Sequence, residues 1–308
     1  MSNAQRQLNL FPSAQSSWQL ALAALERFEI RAARAQLTAA AQASDERPSF
    51  REMTSAVDWL EVLGLSETSD AQALGAALWD TPEWERAGEL APGAARKVLD
   101  VLARRIVACS RTEQVDMLNL ARAHLLLGAS DAARRALDRA LAAQPLGATA
   151  SQRFDARLWA ARADVWSREG HDDARLGYGR AFALEPMALE PSWIADAALR
   201  ELFEQLIAQH GLARARGRVL AEAWLARALE LPAGEPEFGD ELGRRRAAVE
   251  RDAAREGREE RLFALLLAED VAFEGGDSER RERMQELDAA LFARVLERRR
   301  QDQAQRRI

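Results

Sequence analysis

Lysine is nearly absent from this chain: of its 43 basic residues, 42 are arginine and only Lys97 is lysine. Together with an excess of alanine, that skew points to the codon bias of a GC-rich genome more than to a selected property. Cysteine is equally scarce. Cys109 alone can form neither an internal disulfide nor a cysteine-based zinc cluster, which fits a reducing compartment. No apolar run approaches the roughly 18–20 residues that a membrane span requires, and residues 1–7 lack the apolar stretch of a signal peptide. The expected location is the cytoplasm, with no membrane partner. Neither sign of charge dominates, since 43 basic against 49 acidic residues leave a net charge of −6. That balance argues against wholesale coating of nucleic acid. A hydrophobic content of 48% argues against a disordered chain and suffices for a core.

Structure breakers and β-formers are also few. Only 17 Gly and 9 Pro punctuate the 308 residues, and β-branched residues are sparse. Leu, Ala, Arg and Glu dominate, all strong helix formers. Apolar residues recur at i, i+3, i+4 and i+7 instead of alternating. Met117, Leu120, Ala121, His124 and Leu125 fall on one helical face, as do Ala133, Ala136, Leu137, Ala140 and Leu141. The punctuation is that of helices. Ser49 with Glu52 fits a capping box, and Thr81 before Pro82 fits an N-cap followed by a proline at the first helical position. Gly128, Gly170 and Gly211 each close an apolar helical run. The expectation is all-α: about a dozen helices joined by short turns.

Catalytic signatures are missing as well. The chain has no Gly-rich phosphate loop, no His-Glu-x-x-His zinc helix and no Gly-x-Ser-x-Gly elbow. His124, His171 and His210 lie far apart without ligand spacing. His171-Asp172-Asp173 reads as a polar turn and cap. Glu269-Asp270 and Asp277-Ser278-Glu279 flank Gly275-Gly276, but the oxygen-ligand spacing of an EF-hand is absent and the segment reads as a solvated turn. The chain is expected to be non-catalytic, with no cofactor and no metal. An enzyme with an unrecognised site stays open as an alternative.

The segment from Met117 to Pro145 carries Leu120-Ala121 in a first helix, Gly128 at a turn, Ala133, Leu137 and Ala140 in a second helix, and Pro145 as its stop. It resembles a tetratricopeptide repeat, in which small residues sit where two antiparallel helices cross closely. A weaker copy runs through Trp159, Ala163, Trp166 and Gly170, then Ala174, Tyr178, Ala181 and Pro186, with one turn residue deleted. A third begins at Leu20-Ala21 and continues to Ala33, Leu37 and Ala40, with Phe28 in place of the turn glycine. Gly128 to Gly170 spans 42 residues where the family uses about 34. The resemblance covers about a third of the chain. It implies TPR-like antiparallel helical hairpins stacked as an α-solenoid with irregular repeats, and a scaffold or adaptor that binds other proteins. On this reading residues 1–15 form a flexible tail, 16–231 the repeat region, and 240–308 a C-terminal helical cap beyond the turn-rich segment 232–239.

Candidate contacts follow from that architecture. The first helix of each hairpin lines a concave surface, where aromatic and arginine side chains make good peptide anchors. Most of the eight tryptophans are expected to pack at helix crossings. Arg162 stands where the family usually has an apolar residue, and His124 where it often has an aromatic; both are candidate partner-binding residues, although a packed role for His124 is the plainer reading. The arginine-rich stretch 244–261, with seven Arg and five acids, reads as a solvent-facing helix stabilised by pairs such as Arg246–Glu250 and Arg255–Glu259. The basic stretch 294–308 lacks interleaved aromatics and reads as a helix end, so direct nucleic-acid binding is not expected.

One peptide stands apart. Gln7-Leu8-Asn9-Leu10-Phe11 resembles the bacterial sliding-clamp-binding motif, in which a Gln-Leu pair and a Leu-Phe pair flank a small polar residue. The resemblance implies Gln7, Leu8, Leu10 and Phe11 as contacts to the clamp and a role as a replication or repair accessory protein. The alternative is that Leu8, Leu10 and Phe11 fold back on the first helical pair.

Overall fold

The computed structural model describes residues 14–27, 29–43, 48–62, 65, 68–78, 92–110, 116–142, 155–186, 189, 191, 194–252, 254, 256–274 and 277–305. Among these residues there are fifteen α-helices and no strand. In chain order they are α1 (Ala14–Glu26), α2 (Ile30–Ala43), α3 (Pro48–Val62), α4 (Ala71–Leu78), α5 (Pro92–Cys109), α6 (Met117–Leu126), α7 (Ser130–Ala142), α8 (Ala156–Glu169), α9 (Asp173–Leu184), α10 (Ala197–His210), α11 (Leu212–Leu225), α12 (Pro236–Arg251), α13 (Arg258–Ala272), α14 (Ser278–Leu287) and α15 (Ala289–Gln305). The chain divides into two compact units, Met1–Ala136 and Leu137–Ile308.

Aspartate starts many of these helices. Asp116, Asp155, Asp196 and Asp277 each accept backbone N–H groups from the first turn of α6, α8, α10 and α14, satisfying donors that have no intrahelical partner. Gly128 and Gly170 adopt φ of 75° and 74°, and the N–H groups of Ala129 and His171 reach back to the His124 and Trp166 carbonyls. Gly211 closes a helix as its spacing suggests and has a second part as well. At φ 77° and ψ 161° it ends α10 and also opens α11. Helix α3 starts at Pro48, beside Ser49, and the side chains of the expected Ser49–Glu52 capping box lie outside the described ones. Thr81 and Pro82 fall outside the described residues.

In the first unit α1 packs on α2, α2 on α3, α3 on α5, and α4 on both α5 and α6. Its core includes Ala21, Ala33, Leu37, Ala40, Leu60, Leu74, Leu102 and Ile106, all 2% exposed or less. The apolar face expected of α6 is an underestimate: Leu118, Arg122, Ala123 and Leu126 are buried along with Leu120, Ala121 and Leu125.

The second unit is built around α13, which packs on α11, α12 and α14 and is buried on every side from Arg261 to Asp270. Close crossings are made where side chains are absent. A Cβ at Gly179 would meet the Glu230 carbonyl, and one at Gly217 the backbone of Gly257 and Arg261. One apolar core runs through this unit, from Ala156 to Val295, with contributions from both sides of the 232–239 segment.

Candidate partner-binding surface

Helix α8 separates two faces by its own periodicity. Ala156, Ala160 and Ala163 are buried, and their small side chains let α9 approach closely. Trp159, Arg162 and Trp166, spaced by three and four residues, share another stripe and are half-buried. The guanidinium carbon of Arg162 lies 4.3 Å from the Trp166 ring centroid and 5.7 Å from that of Trp159. Trp159 also carries a second cation: Arg180 of α9 sits 4.4 Å from its centroid and 5.6 Å from that of Phe238. The result is a ladder of alternating aromatic rings and guanidinium groups across α8, α9 and the start of α12. Each contact contributes about 0.5–2 kcal/mol, depending on desolvation.

The two cations differ in one respect. Arg180 has a carboxylate, Glu235 Oε1, at 2.5 Å from its Nη2. Among the described residues no carboxylate pairs with Arg162; its only partners are the two indoles. Nearby, the Trp159 indole N–H is buried with no hydrogen-bond acceptor among the described residues.

The other candidates fall elsewhere. His124 lies on α6 in the first unit, half-buried, whereas Arg162 belongs to the second. Burial disfavours the imidazolium of His124 and holds its pKa below the ordinary value, with Arg135 adding repulsion. Gln7, Leu8, Leu10 and Phe11 lie outside the described residues.

Several charged groups that read as solvated are structural. Arg261 is buried and donates to the carbonyls of Phe182 at 2.8 Å, Ala183 at 2.7 Å and Leu184 at 3.1 Å, capping the C-terminus of α9. Arg245 adds a bond to Leu184 O at 2.7 Å. The arginine-rich stretch spans two helices, α12 and α13: Arg261 is buried and Arg245 and Arg246 are partly buried, whereas Arg244 and Arg251 face solvent as expected. The expected Arg246–Glu250 pair forms at 3.0 Å, and Arg255 lies outside the described residues. Glu269 and Asp270 do not belong to a solvated turn. Both are buried in α13, Glu269 against Arg246 at 2.8 Å and Asp270 against Arg299 at 2.6 Å. Burial raises the pKa of Glu269, and Arg246 opposes that shift.

A buried network joins α8, α9 and the start of α10. The Tyr178 hydroxyl donates to Asp164 Oδ1 at 2.6 Å and accepts from Ala195 N at 3.1 Å. Burial, then the charge of Asp164, pushes the phenol far above its ordinary range, so Tyr178 stays protonated. Both side chains are enclosed, which makes this a fastening and not a reactive pair.

Open clefts occur among the described residues of the second unit, two of which stand out. One, of about 540 Å³, lies among α12, α13 and α14 and is lined by more carboxylates than guanidiniums, including Asp240, Glu269, Glu279 and Glu282. The other, of about 480 Å³, is bounded by Pro186, Leu212, Arg216, Gly217, Gly257 and Arg261. Among the described residues no group of His, Cys, Asp and Glu is placed to hold a metal ion, and no helix is long and apolar enough to cross a membrane. No protein-family model, curated protein or solved structure matches the chain.

Proposed function

We propose that this protein is a non-catalytic scaffold or adaptor that holds partner proteins on a surface of TPR-like helical hairpins stacked as an irregular α-solenoid. Burial of the small residues in the repeat-like segments supports the hairpin reading: Ala21, Ala33, Ala121, Ala133, Ala163 and Ala181 are each at most 1% exposed. The observation that carries the binding reading is Arg162. A cation held between two half-buried tryptophans, with no carboxylate partner among the described residues, has the character of an interface anchor, since Trp and Arg are among the residues most enriched in binding hot spots. His124 is a second candidate contact.

The test compares partner capture by the wild-type chain, Arg162→Met and His124→Gln, with thermal unfolding measured in parallel. Methionine keeps an apolar stem against the indoles while removing the charge. The expected result is loss of capture by Arg162→Met with stability reduced by no more than about 1–2 kcal/mol. Undiminished capture, or unfolding without a binding defect, would assign Arg162 to structure alone.

The peptide Gln7–Phe11 supports a second reading, a tether to the bacterial DNA sliding clamp, with Gln7 making polar contacts and Leu8, Leu10 and Phe11 filling an apolar groove. Burial of Leu10 and Phe11 would contribute about 3–6 kcal/mol together. Leu10→Ala/Phe11→Ala should therefore weaken binding to purified clamp by about a hundredfold or more. No binding of the wild-type chain at tens of micromolar clamp would eliminate the tether.

A further inference from the structure

The ladder on α8 contains both a completed unit and an uncompleted one. The guanidinium carbon of Arg180 lies 4.4 Å from the Trp159 ring centroid, and its Nη2 meets Glu235 Oε1 at 2.5 Å. The two contacts are compatible because a guanidinium is planar. Its faces stack on aromatic rings while its N–H groups lie in the plane and point outward in a fork that matches a carboxylate. Arg162 repeats the first half of this arrangement on the same indole, and again on Trp166, but no carboxylate meets its edge among the described residues.

We infer that Arg162 binds a carboxylate of an acidic segment in a partner protein, completing the indole–guanidinium–carboxylate unit that Arg180 and Glu235 already form within the chain. This inference rests on the scaffold reading of the same surface. Three properties fit the site to that occupant. The charge is complementary. Stacking at 4.3 Å on Trp166 fixes the guanidinium before the partner arrives, so little side-chain freedom is lost on binding. The neighbouring indoles leave apolar surface for the residues flanking the acid. A neutral apolar segment would leave the cation desolvated without a counter-charge, and a basic one would be repelled.

The experiment is a selection of random dodecapeptides displayed on phage, carried out on the immobilised full chain and in parallel on Arg162→Met and Arg162→Lys. Asp and Glu should be enriched in peptides selected by the wild-type chain. Enrichment should vanish on Arg162→Met and persist weakly on Arg162→Lys, which keeps the charge and loses the fork. A labelled copy of a selected peptide should bind the wild-type chain about tenfold to a hundredfold more tightly than it binds Arg162→Met. Affinity should also fall as salt is raised. Selected peptides lacking acids, or acidic peptides retained equally by Arg162→Met, would overturn the carboxylate assignment and leave the scaffold reading to the capture experiment. Failure to enrich any peptide would overturn it as well.

Discussion

Replacing Arg261 with methionine probes how the second unit is held together. Pro186 stops α9, and because proline has no N–H it leaves the Phe182 carbonyl, four residues earlier, without its helical donor. Arg261 supplies that donor from α13, together with bonds to the Ala183 and Leu184 carbonyls, while 5% exposed. Methionine removes the guanidinium, and at least the Phe182 and Ala183 carbonyls lose a donor where water enters poorly. At about 1–3 kcal/mol for each buried group left unsatisfied, the loss is about 2–6 kcal/mol. Arg245→Met is the control. Its target, Leu184 O, keeps Arg261, and its carboxylate partner Glu241 keeps Arg244 at 2.6 Å, so a loss of about 1 kcal/mol is expected. Urea unfolding followed by circular dichroism at 222 nm reads both variants, with an unchanged m-value showing that the same surface is exposed. A loss below about 1 kcal/mol for Arg261→Met, or one equal to that of Arg245→Met, would refute the capping argument.

Two further outcomes follow from buried polar groups. Tyr178→Phe removes the donor to Asp164 and should cost about 1.5–3 kcal/mol, the range for a hydrogen bond to a charged group; a loss under about 0.5 kcal/mol in the same urea assay would contradict it. His124 has a depressed folded-state pKa, so the unfolded chain takes up a proton first. Its contribution is complete above the ordinary histidine value of about 6.5 and is lost as pH falls through the folded-state value. Stability of the wild-type chain should therefore fall more steeply below about pH 6.5 than that of His124→Gln. Parallel pH curves would show that His124 carries no such term.

The all-α class is legible in the sequence because helical periodicity and turn glycines agree along the chain. Arg162 and Trp166 are four residues apart, so their sharing of a face is equally legible. The role of Arg180 is not. Its contact with Trp159 depends on how α8 and α9 pack, and its carboxylate comes from Glu235, 55 residues away. Charged residues mislead most in α12 and α13. Arg261, Glu269 and Asp270 look solvated by composition, yet each is buried because its partner arrives from another helix: Phe182 lies 79 residues from Arg261, and Arg246 lies 23 from Glu269. In α6 the helical period marks one apolar face, but neighbours on other sides bury Leu118, Ala123 and Leu126 too. Local pattern carries local structure, and these burials are set by contacts distant in sequence.

Amide hydrogen exchange of the full chain, with and without a captured partner, reads whether a partner sits on the α8 surface. Exchange should slow across 156–169 when the partner is bound, and this slowing should disappear in Arg162→Met. Slowing confined to other segments, with 156–169 exchanging alike in both states, would contradict a partner on α8.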